Sequence, residues 1–86
     1  MKLGQFLDKV DAYSDVKVDI WVKSRDYKMV SGVPQWVWEN HHTVFEKPRF
    51  SDEVEEYRNN TLLNCYIGSG REGEKTFIYL ECEVKG

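Results

Sequence analysis

Nowhere in the chain do two Lys or Arg residues stand side by side, no C-x-x-C pair occurs, and no run free of charge is longer than 12 residues. Each absence removes a class of function. Scattered cations argue against a general DNA or RNA binder, whose non-specific affinity comes from clustered Lys and Arg neutralising phosphates. The net charge of -3 points the same way. Runs this short exclude a membrane span, which needs about 20 apolar residues. The opening MKLGQFLDKV is amphipathic and lacks a basic segment followed by an apolar one, so neither secretion nor insertion is expected and the expected compartment is the cytoplasm. In that reducing setting the two cysteines, Cys65 and Cys82, are expected to be buried thiols.

What is present is a chain of 86 residues, 41% hydrophobic and 31% charged, a mixture that folds rather than staying disordered. It fits a single domain, residues 1–86. A domain of this size buries only roughly 60 to 65% of its unfolded surface, so its core is thin. Leu3, Phe6, Leu7 and Val10 fall at i, i+3, i+4 and i+7, which predicts an amphipathic helix over residues 3–12. Val16, Val18, Ile20 and Val22 then alternate with polar residues and Trp21, the pattern of a strand with one aliphatic face. The SRD at 24–26 reads as a turn. YKMVSGVPQWVWEN continues as one strand or two short ones, with Gly32 and Pro34 marking a bulge, a bend or an edge position. HHTVF either extends the sheet or opens a loop that ends at Pro48.

Ser51, followed by Asp52 and Glu53, predicts an N-cap and a short helix over 52–60 with Val54 and Tyr57 on its buried side. Leu63, Cys65 and Ile67, then Ile78, Leu80, Cys82 and Val84, alternate on either side of a glycine-rich connection and form a hairpin. The order predicts an α+β fold: a small two-layer sandwich of a mainly antiparallel sheet of four or five strands, with two short helices on one face.

Gly68, Gly70 and Gly73 have the G-x-G-x-x-G spacing of a dinucleotide-binding turn. Such a turn must run from a strand into a helix. Here the alternation of EKTFIYLECEV makes the next element a strand, so the glycines are expected to supply positive φ in a long hairpin connection and no nucleotide cofactor is expected. His41 and His42, with Glu39 nearby, raise the question of metal. Neighbours on an extended segment point to opposite sides, and no metal site is expected. A small enzyme using His41 or His42 as acid or base is a rival, but no second catalytic group stands near them in the sequence. No catalytic residue is assigned.

If the aliphatic series face the helices, Trp21, Phe77 and Tyr79 emerge on the opposite side of the sheet with Tyr66 beside them, while Trp36 and Trp38 share a face. Either residues 39–50 fold over these rings as a second small core, or the face stays open for recognition. Nucleic-acid surfaces combine rings with a basic groove, whereas Asp19, Glu81 and Glu83 flank these. Rings with acidic surroundings suit a protein partner, best of all one with a basic surface. The expected partner-binding residues are therefore Trp21, Trp36, Trp38, Phe77 and Tyr79, with Asp19, Glu81 and Glu83 around them. A third possibility is a structural module that associates with itself through a sheet edge or the aromatic face.

The opening MKLGQFLDKVDAYSDVKVDIWV resembles the start of many short uncharacterised proteins carried by phages and conjugative elements of Gram-positive bacteria. The closing NNTLLNCYIGSGREGEKTFIYLECEV is similar in kind to their terminal hairpin. The likeness covers the two ends, and the middle, VPQWVWENHHTVFEKPRF, departs from it. That group includes inhibitors of host defence nucleases, anti-CRISPR proteins among them, and the resemblance implies a non-enzymatic inhibitor of this kind.

Overall fold

The computed structural model describes residues 1–10 and 15–86. Among them two short helices and four strands follow in the order α1 (Leu3–Lys9), β1 (Asp15–Val30), β2 (Val33–Pro48), α2 (Asp52–Glu55), β3 (Leu62–Glu72) and β4 (Lys75–Lys85). The strands form one sheet in the order β2-β1-β4-β3. β1 with β2 and β3 with β4 form antiparallel hairpins, and the central pair, β1 and β4, runs parallel. The α+β class is as expected, but the sheet is mixed. The chain leaves β2 at one edge, passes through α2 and enters β3 at the other, which brings β4 alongside β1 in the same direction.

The aliphatic alternation builds the core. Val18 lies opposite Leu80 and Ile20 opposite Cys82 across the parallel pair, so the two series share one face. They are buried together with Leu3 and Leu7 of α1, Val44 of β2 and Val54 of α2. Phe6 and Val10 pack at the margin of this cluster, as the helical stripe predicts. Each large side chain removed from water here contributes about 1.5–3 kcal/mol.

A helix of seven residues has no stability of its own, and α1 is held by its surroundings. The amides of Leu3 and Gly4 donate to the carbonyls of Asn60 and Arg58. Arg49 donates to the carbonyls of Leu7 and Val10, satisfying the helix's C-terminal acceptors. A Cβ at Gly4 would stand 3.1 Å from Arg58, so the glycine permits this close docking. Asp11 and Ala12, the last residues of the expected helix, lie outside the described residues. The second helix is shorter than the expected 52–60: it ends at Glu55, because residues 58–60 turn to meet the N-terminal segment, where Lys2 bridges Thr61.

Three further expectations need correction. Residues 24–26 are not a turn: β1 runs on to Val30, with Ser24, Arg25 and Asp26 paired to Glu39, Trp38 and Val37. The turn is Ser31-Gly32, both at positive φ (53° and 78°), the backbone of a type I′ hairpin. Nor do the three glycines form a long loop. Gly68 and Gly70 lie within β3, and the connection is Gly73-Glu74, with Gly73 alone of the three at positive φ. Finally, Leu63 leaves the inward series, because a register shift between Leu62 and Asn64 turns it outward and puts Leu62 against the core.

Candidate interaction surface

Pairing of β1 with β4 ends at the rung Lys23–Lys85, whereas pairing of β1 with β2 continues from Ser24–Glu39 to Val30–Val33. Residues 24–39 therefore leave the body as a ribbon of two strands, about 23 Å long at ~3.3 Å per residue. It helps give the molecule its extents of 52 × 27 × 19 Å. On this ribbon Tyr27, Met29, Trp36 and Trp38 are 57–67% exposed.

The register sets the faces. Trp21 pairs with His42, Lys23 with Asn40, Arg25 with Trp38 and Tyr27 with Trp36. Across the parallel pair Asp15, Lys17, Asp19 and Trp21 lie beside Phe77, Tyr79, Glu81 and Glu83. Directly paired residues share a face, so all eight expected residues stand on the side of the sheet away from the buried aliphatic series. They divide into two groups.

The ribbon carries the first. Trp36 meets Tyr27 edge to face at 5.2 Å, the Arg25 guanidinium lies 5.0 Å from the Trp36 ring, and the Lys23 ammonium lies 5.6 Å from that of Trp38. These exposed rings are accompanied by cations, not by the acids expected from the sequence.

The body carries the second. Trp21 is half-buried and stacked on His42, with ring centroids 4.3 Å apart, and Phe45 covers the other part of His42 at 3.8 Å. Asp19 is 4% exposed and therefore is no part of a charged rim. It accepts hydrogen bonds from the Tyr79 hydroxyl and the Glu46 amide, and His42 Nε2 lies 3.5 Å away. The carboxylate anchors the irregular stretch of β2 in which Glu46 takes a φ of 45°. Glu83 is also partly engaged, 3.7 Å from Lys23. Residues 39–48 join the sheet as β2 instead of folding over the rings as a second core. Trp21, Asn40, Tyr66, Glu81, Cys82 and Glu83 line a cavity of about 220 Å³ on this side.

His41 and His42 diverge to opposite faces. A His–Asp pair such as His42–Asp19 is of the kind acid–base sites use, but its imidazole is enclosed between two rings and its side chain is 19% exposed. His41 joins a group that the sequence did not reveal. Among the described residues, Asp26, Glu39 and His41 place ligand atoms within 4.8 Å of one another on the ribbon's other face. Asp26 arrives through cross-strand register alone. Lys28 forms an ion pair with Glu39, and their hydrogen bond raises the ammonium's pKa and lowers the carboxyl's.

Cys65 and Cys82 sit directly opposite each other on β3 and β4, with Sγ atoms 3.7 Å apart. Cys82 is buried as expected, while Cys65 is half-buried. Their hydrogen bond holds Cys65 below the usual thiol range and, with burial, pushes Cys82 well above it.

No helix among the described residues is long and apolar enough to cross a membrane. No family model matches the chain, and no curated protein or solved structure matches it significantly.

Proposed function

We propose that this protein is a non-enzymatic binding module that holds a protein partner on the β1–β2 ribbon and the adjoining open side of the sheet. The observation that carries this is the ribbon itself. Two strands without a covering layer are marginally stable, yet this pair extends past the body with two tryptophans, a tyrosine and a methionine in water. Aromatic rings and arginine are the side chains that anchor protein interfaces. Asp19 is buried and Glu83 is partly paired, whereas Arg25, Lys23 and Lys85 lie next to the exposed rings. A partner surface with an apolar patch flanked by carboxylates fits the ribbon better than the basic surface expected from sequence. An inhibitor that occupies a host defence protein, as the terminal resemblance implies, is one module of this kind.

The test is differential capture. Immobilised wild type and a folded Trp36→Ala/Trp38→Ala variant are exposed to the same source-cell lysate. Proteins retained by the first and lost by the second support the proposal, and identical retention contradicts it. Single-stranded nucleic acid is the rival, because rings beside cations also stack bases. Titration with oligothymidine at two salt concentrations separates the two: saturable, salt-sensitive quenching of tryptophan fluorescence would favour nucleic acid.

A further inference from the structure

The two edges of the sheet are not alike. The outer edge of β2 carries Pro34 and Pro48, two register irregularities, a residue at positive φ and the charges of Glu39, Glu46 and Lys47. These are the devices that keep an edge strand from pairing with another chain. The outer edge of β3 has none of them over most of its length. From Asn59 to Gly70 there is no charged residue and no proline, and Leu63, Tyr66 and Ile67 are 41, 68 and 72% exposed. The N-terminal segment occupies the start of this edge, where Lys2 bridges Thr61 and the Leu62 amide donates to the Met1 carbonyl; among the described residues nothing pairs with it beyond Leu62.

We propose that the outer edge of β3 is a strand-addition surface and that its occupant is a second copy of this chain, paired antiparallel about a two-fold axis near Tyr66. The strand is suited to pairing with itself. Centred on Tyr66, Asn64 of one copy meets Gly68 of the other and Cys65 meets Ile67, the paired stretch ending at the register shift that turns Leu63 outward. Every rung is free of charge, so no like charges are opposed. Gly68 has open space in place of a side chain and leaves room for Asn64 opposite. Ile67, on the core-side face but beyond the cover of the helices, gains an apolar neighbour. Pairing also satisfies the outward amides and carbonyls of β3. A two-fold axis perpendicular to the sheet keeps both open faces on the same side and sends the two ribbons to the outer edges, which makes the dimer bivalent.

The test is the mass in solution from micromolar to near-millimolar protein, measured by sedimentation equilibrium. The wild type is expected to rise from one chain mass to two. Tyr66→Lys/Ile67→Lys is expected to stay at one chain mass with an unchanged melting temperature, since both side chains are largely in water. Trp36→Ala/Trp38→Ala is expected to dimerise like the wild type, which separates this edge from the proposed partner surface. Hydrogen exchange on the unmodified chain gives a check that does not depend on any variant folding: amides within residues 64–68 should exchange more slowly at high concentration. A wild type of one chain mass throughout overturns the proposal, as does a lysine variant that still dimerises or exchange that is independent of concentration.

Discussion

The ring of Phe77 lies over Gly70 on the neighbouring strand, so closely that a Cβ at Gly70 would stand 2.2 Å from Phe77 Cζ. The ring covers a glycine that would otherwise weaken the strand. Gly70→Ala should therefore displace the ring and cost about 1–3 kcal/mol, as overpacking does. In a Phe77→Ala background the same change should cost almost nothing. Urea unfolding of the four proteins of this cycle checks it, and additive losses would contradict the contact.

Asp19 is a buried acceptor shared by the Tyr79 hydroxyl and the Glu46 amide. Asp19→Ala leaves both donors without a partner and should cost about 1–3 kcal/mol, with Asp19→Asn costing less. The unfolding midpoint measures this. An unchanged midpoint for Asp19→Ala would contradict the anchoring role.

The opposed cysteines should differ in reactivity. The hydrogen bond between the two thiols holds Cys65 below the usual thiol range and, with burial, pushes Cys82 far above it. Iodoacetamide is expected to label Cys65 in the folded protein with a pH midpoint below that of a free thiol, and Cys82 only after unfolding. Equal labelling of both would contradict this. The sign of the linkage follows from the same shifts. The lowered Cys65 value adds stability above the ordinary thiol pKa, and that stability is lost as pH falls through the folded value. The raised Cys82 value subtracts stability over the alkaline window, so the two oppose each other and neither acts well below it. A low-molecular-weight disulfide should join the pair: Cys65 thiolate displaces one thiol of the reagent, and Cys82, losing its proton, displaces the second. The closed loop should add up to about 3 kcal/mol of stability.

The parts of the fold that repeat a period within one element were legible in the sequence. Val16, Val18 and Ile20, together with Leu80, Cys82 and Val84, alternate in the chain and share the core, and the helical stripe of Leu3 and Leu7 packs against them. The same alternation placed Trp21, Phe77 and Tyr79 on the opposite side. What escaped depends on pairing between distant segments. Ser24, Arg25 and Asp26 have turn-like identities, but pairing with Val37, Trp38 and Glu39 overrides local preference. Gly70 reads as a loop residue because nothing in sequence places Phe77 over it. The parallel β1–β4 pair joins segments some sixty residues apart in the chain. Asp19 reads as a surface acid because its partners, Tyr79 and Glu46, belong to two other strands. Asp26 meets Glu39 and His41 through register alone.

The central claim is that the ribbon's aromatic rings are held out for a partner and contribute little to the isolated fold. Equilibrium urea unfolding of Trp36→Ala/Trp38→Ala tests it most directly, with Trp21→Ala as the comparison, since Trp21 is half-buried against His42. The double variant is expected to unfold cooperatively within about 1 kcal/mol of the wild type, as exposed positions do. Trp21→Ala should lose about 3 kcal/mol or more, as an aromatic removed from a packed site does. A double variant that is unfolded, or that loses as much as Trp21→Ala, would show that these tryptophans serve the fold and would contradict the claim.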